Sequence, residues 1–166
     1  FLIWVIRGTP LMLQLLIVFF VPGLLFGKPI FAHHRFLSAL LTFGVNYAGY
    51  YAVIYKGGFE SIPRAQTEAG HVLGLSRWQI FKHIIWLQFV KHILPAMSNE
   101  VITLVKDTSL VRVIAVVEII KVAERYTARG LIWPLFYTAV FYLLFSGLVS
   151  AFFNYLERRL SYFEVI

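Results

Sequence analysis

Four residues past the middle of the chain could do chemistry together: Glu100, Thr103, Lys106 and Asp107. On a helix, Glu100, Thr103 and Asp107 stand at i, i+3 and i+7 and so share one face, while Asn99, Thr103 and Lys106 form an overlapping stripe. The segment that carries them, about 97–117, is apolar at both ends. Ionisable groups at bilayer depth belong against a bundle interior or a water-filled cavity. A zwitterion needs an anion for its ammonium group and a cation or helix N-terminus for its carboxylate. Glu100, Asp107 and Lys106 supply both signs, which suits one wall of a solute pathway. The plainer alternative is that Lys106 and Asp107 pair with neighbouring helices and serve assembly alone.

Other chemistries find little support. His33 and His34 are adjacent, and His71, His83 and His92 lack the HExxH spacing of a zinc site, so no metal is expected. Cysteine is absent, which removes thiolate ligands and disulfides. There is no Ser-His-Asp arrangement and no phosphate-binding loop of the Walker type, so the chain is not expected to be an enzyme or to hydrolyse ATP itself. A multi-span membrane enzyme would need a catalytic constellation that the sequence does not offer.

The second informative stretch is "TEAGHVLGLSRWQIFKHII", Thr67 to Ile85. It is punctuated like two helices, about 61–93. Ser61 can cap a helix opening at Pro63, and Gly74 is placed to stop it. Ser76 with Gln79 has capping-box spacing and opens a second helix, expected to end near Pro95, with Phe81, Ile84, Ile85, Gln88 and Phe89 on one face. On the shorter helix Ala65, Ala69, Val72 and Leu73 form an apolar patch flanked by Arg64 and Glu68. Such a knob suits a groove on a soluble partner, whereas a bland amphipathic pair would lie among lipid headgroups.

The elements that must position these groups are membrane helices. Of the 166 residues, 60% are hydrophobic and 14% charged, and the mean hydropathy is +0.77. A soluble domain carries about a quarter charged residues, so lipid is the expected solvent. The net charge of +7 comes without a basic stripe for nucleic acid and is read as topology signal. Uncharged runs over 8–27, 36–55 and 130–156 each reach the roughly 20 residues needed to span a bilayer; with 97–117, the expected spans are about 8–27, 36–55, 97–117 and 131–155. Arg7, Lys56, Arg64, Arg77, Lys82, Lys91, Arg158 and Arg159 outnumber Lys28, Arg35, Lys121, Arg125 and Arg129. This bias places the central loop and the C-terminus in the cytoplasm. The chain begins at Phe1 without a signal peptide and reads as a fragment.

At the central loop the sequence resembles the Glu-Ala-Ala loop of ABC-importer permeases. "RGTPLMLQL", "YKGGFESIPRAQ", "LPAMSNEVITLVKDTSL" and "YLERRLSYF" extend the resemblance, in order, to the polar amino-acid branch across 1–166. Departures are Gly70 for the second Ala, Trp86-Leu87 for Leu-Pro, Val53 for an acidic residue and Lys56 for Arg. The resemblance implies an all-α integral membrane fold, the type I importer permease core, with four spans here and one N-terminal span missing. It implies half of a pathway for an amino acid, with Glu68, Ala69, Gly70, Leu73 and Gly74 coupling to a cytoplasmic ATPase dimer that holds ATP and magnesium. A second permease subunit and an extracytoplasmic amino-acid-binding protein complete the implied assembly in the cell membrane. The rivals are a scaffold subunit and a permease for another small solute.

Overall fold

Proline and glycine set the ends of most helices in this computed structural model, which describes residues 1–28, 30–31 and 33–160. The end of the closing "YLERRLSYF" string and parts of the "GKPIFAHHR" loop therefore lie outside the described residues. The helices are α1 (Leu2–Gly8), α2 (Leu11–Phe26), α3 (Arg35–Glu60), α4 (Arg64–Val72), α5 (Arg77–Ile80), α6 (Trp86–Asp107), α7 (Ile119–Thr127) and α8 (Trp133–Leu160). A π-turn, Phe81–Ile85, joins α5 to α6, and a 3-10 segment, Thr108–Ile114, follows α6. No strand occurs among the described residues. By length and composition α3 and α8 can each cross a membrane, and α1 with α2 passes the same test as a pair bent by 105°. The chain divides into two compact units.

The first unit contains Phe1–Tyr50 and Ile102–Gly147. Leu15, Ala39 and Ile114 form its buried centre, with Leu16, Phe19, Phe43, Leu110 and Val111 packed around them. The run 8–27 was expected as one span, but the helix breaks at Thr9. Pro10 disfavours helical geometry in the residue before it, and Thr9 is extended at φ −111°, ψ 142°. The carbonyls freed at the end of α1 find side-chain donors. Thr9 Oγ1 donates to the Val5 carbonyl at 3.0 Å, and Gln14 Nε2 donates to the Ile6 carbonyl at 2.7 Å and to Thr9 Oγ1 at 2.7 Å. Asn46 Nδ2 in turn donates to Gln14 Oε1 at 3.0 Å. Ser38, Thr42 and Asn46, four residues apart on α3, are all buried. Ser38 and Thr42 are small enough to let helices approach closely, and both donate back to their own helix. Leu37, Leu40, Leu41 and Val45, also on α3, are exposed, as lipid contact requires.

Two expectations for the fourth segment need correction. It was expected as a helix over 97–117, with Pro95 ending the helix before it. Pro95 instead lies inside α6, which starts at Trp86. A proline costs a helix one backbone bond, and neighbouring packing can hold the turn regardless; Ile93 and Leu94 beside it are buried. At the other end α6 stops at Asp107, where Thr108 Oγ1 donates to the Val105 carbonyl at 2.6 Å and the backbone tightens into the 3-10 segment. Ala115 closes that segment at φ 62°, a left-handed conformation uncommon for a residue with a Cβ.

Among the described residues, the second unit contains Tyr51–Val101 and 148–160. Ile62, Phe89 and Ile93 are its buried centre, backed by Ile54, Ile85, Val90 and Met97. Phe59 stacks on Phe89 with ring centroids 4.1 Å apart. Ser61 was expected to cap α4, but its hydroxyl donates to the Gly58 carbonyl at 2.8 Å, and Pro63 occupies the N-cap position. At the other end Gly74, at φ +75°, gives the stop read from the sequence. Its N–H donates to the His71 carbonyl and that of Leu75 to the Gly70 carbonyl, the paired bonds of a Schellman turn. Two residues later the capping box is complete: Ser76 Oγ accepts from the Gln79 N–H, and Gln79 Oε1 accepts from the Ser76 N–H at 2.8 Å.

Candidate functional site

The loop that carries the Glu-Ala-Ala-like string is a rigid corner. Its two helices approach closely at Gly70, which is buried. A Cβ there would stand 2.8 Å from Ile80 Cγ1 and 3.3 Å from Ile84 Cδ1. Ile80 itself is 1% exposed. The glycine in place of the family's second alanine is thus the residue that seats α4 on the following helix. Gln66 and Gln88 add a hydrogen bond of 2.6 Å between their side chains.

With Gly70 turned inward, the opposite face of α4 is left open. Arg64, Ala65, Glu68, Ala69 and His71 are exposed, Val72 is 88% exposed and Leu73 76%. Of the expected coupling residues, Glu68, Ala69, Leu73 and Gly74 are exposed, and Gly70 alone is buried. Two adjacent aliphatic side chains so open to solvent are costly unless something covers them. The expected apolar face of the second helix is largely covered within the unit: Phe81, Ile84, Ile85 and Gln88 are half-buried and Phe89 is buried. Trp78, 67% exposed, stacks on Phe81.

The expected pathway residues occupy the last turns of α6. Glu100 and Asp107 are half-buried, and Thr103 and Lys106 are exposed. Thr103 and Asp107 lie four residues apart on α6, which is helical through Asp107. What sequence reasoning missed is the partner of Asp107. Tyr47, buried on α3, donates its phenolic O–H to Asp107 Oδ2 at 2.9 Å. The Gln14–Asn46 pair was missed as well. A usable signal existed in both cases, since polar side chains inside an uncharged run must find partners when lipid surrounds the helix. Outside these residues, Arg112 pairs with Glu124 of α7, and both are exposed. Glu118 caps α7 by accepting from the N–H groups of Ile120 and Lys121.

Residues 1–162 match the family described as binding-protein-dependent transport system inner membrane component. The glutamine transport system permease protein GlnP of Escherichia coli (strain K12) is 36% identical over 161 residues, covering 95% of this chain and 72% of that protein. The L-cystine transport system permease protein TcyB of Bacillus subtilis (strain 168) is 35% identical, over 94% of this chain and 66% of that protein. The octopine transport system permease protein OccM of Rhizobium meliloti is 33% identical, over 96% and 65%. Among solved structures, a crystal structure of an amino acid ABC transporter with histidines superposes with a TM-score of 0.81 at 29% identity, covering 95% of this chain and 73% of that one.

Proposed function

Since the chain belongs to the family of binding-protein-dependent transport system inner membrane components, we infer that it is a membrane-spanning subunit of an ATP-driven amino-acid importer. ATP is hydrolysed in a partner subunit, and a separate binding protein delivers the solute. The finer reading concerns two places on this chain. Arg64 to Leu73 lies on the cytoplasmic side and docks into an ATPase. Glu100, Thr103, Lys106 and Asp107 form one wall of the pathway, of which a second permease subunit supplies the other half. In that wall, carboxylates receive the α-ammonium group of the solute and Lys106 its carboxylate.

The observation that carries this reading is the exposed end of α4. Val72 and Leu73 stand in the open on a corner whose N–H groups from Leu73 to Ser76 are all bonded. A rigid apolar projection of this kind fits a groove on a soluble partner and can pass on a push without bending. The test uses Ala69→Cys in the intact complex. We expect cross-linking to a co-expressed ATPase and, on sealed cells, protection from an impermeant thiol reagent. Labelling from outside the cell would overturn the orientation and with it the docking. For the pathway, Asp107→Asn is expected to lower uptake about tenfold, the equivalent of one hydrogen bond to a charged group, while the complex still assembles. Normal uptake by that variant would remove Asp107 from the wall.

A further inference from the structure

Asp107 is held by a side chain that no reading of the sequence connected with it. Tyr47 is 6% exposed, and its O–H reaches Asp107 Oδ2 at 2.9 Å. The tyrosine ring is itself confined. It stacks nearly parallel on Phe43, with centroids 6.2 Å apart and planes 9° apart, and it lies beside Tyr50 at 6.1 Å. A tyrosine has two side-chain torsions, and burial between aromatic neighbours fixes both, so the donor arrives at one place. A carboxylate offers about four acceptor directions. One phenol therefore orients Asp107 and leaves capacity for a second donor.

We propose that Tyr47 is a positioning residue for transport: it fixes the carboxylate of Asp107 in the orientation that receives the ammonium group of the passing amino acid. The proposal rests on the reading of Asp107 as a pathway residue. A phenol suits this task better than a lysine or arginine. It orients the carboxylate without cancelling its charge, so the anion remains attractive to a cationic group.

The test compares three variants in proteoliposomes holding the full importer and its binding protein. The readouts are uptake of the transported amino acid and ATP hydrolysed per molecule moved. In the proposed arrangement the binding protein sets the KM and the pathway sets the maximal rate. Tyr47→Phe removes one oxygen and leaves the ring. We expect it to lower maximal uptake about tenfold, with KM unchanged and more ATP consumed per amino acid. Tyr50→Phe, which alters the neighbouring ring's hydroxyl, is expected to transport at the wild-type rate. The double variant Tyr47→Phe/Asp107→Asn is expected to transport no worse than Asp107→Asn alone.

Wild-type uptake by Tyr47→Phe beside impaired uptake by Asp107→Asn would overturn the positioning role and leave the pathway reading standing. Wild-type uptake by Asp107→Asn would remove both. A double variant clearly worse than Asp107→Asn would show that the phenol acts through packing, and would also overturn the proposal. If Tyr47→Phe alone does not assemble, this last comparison still decides, because the double variant takes away donor and charge together.

Discussion

Replacing Gly70 by alanine sets two effects of known sign against each other. Alanine favours a helix over glycine by about 0.8–1 kcal/mol, so on propensity alone the variant should strengthen α4. The added Cβ would stand 2.8 Å and 3.0 Å from Ile80 Cγ1 and Cδ1, and 3.3 Å from Ile84 Cδ1. Carbon atoms pack best at about 3.5–4.0 Å. Ile80 is 1% exposed and has nowhere to swing. Overpacking of this kind costs about 1–3 kcal/mol, so the net effect is a loss of about 1 kcal/mol in the seating of α4. Local opening is then about fivefold more populated. Hydrogen exchange of the amides from Arg64 to Leu75, measured in the purified complex, reads that population. Exchange should quicken in Gly70→Ala. In an Ile80→Ala background the same substitution should slow it, because the two closest contacts are gone and propensity outweighs the 3.3 Å approach to Ile84 Cδ1, the free end of a side chain. Slower exchange in the otherwise native protein would refute the argument, since it would mean that α4 is not seated on Ile80.

Three further outcomes follow from the same geometry. Gly58→Ala would drive a Cβ into Ile93 and to 3.2 Å from the Phe89 ring; we expect a loss of about 1–3 kcal/mol, seen as a lower midpoint for thermal inactivation of ATP-driven uptake. Ser76→Ala removes one half of the capping box and should cost about 1 kcal/mol, visible as faster exchange confined to the first turn after Ser76. Gln14→Leu leaves the Ile6 carbonyl and the Asn46 amide without the partner they share. The expected cost is about 1–3 kcal/mol, and thermal inactivation of the complex should show that Asn46→Leu added to it costs less than Asn46→Leu alone.

Local signals were the ones that the sequence could express. Gly74 as a helix stop and Ser76 with Gln79 as a start act through backbone groups within five residues, so no distant partner is needed to read them. The apolar lengths of α3 and α8 were legible for the same reason. Pro10 was a local signal too, and the break at Thr9 could have been drawn from it. Pro95 misled because its effect depends on what packs beside it. The hydrogen bonds from Tyr47 to Asp107 and from Asn46 to Gln14 join residues 60 and 32 positions apart, and no window along the chain contains both partners. Gly70 was legible as a weak helix former. That it makes room for Ile80 was not, since the reason lies on another helix.

The turn between Val72 and Arg77 has one more consequence, which concerns length. Surface connections usually tolerate added or deleted residues. Here the N–H groups of Leu73, Gly74 and Leu75 are already committed to carbonyls behind them, and Ser76 is committed ahead. One residue inserted into α4 after Gly70 would rotate Val72 and Leu73 about 100° around the helix relative to the glycine's seat. An epitope or reporter spliced into this corner would therefore ruin it even if every original side chain were kept. The stretch behaves as a fixed gauge, in which spacing is as heritable a property as residue identity.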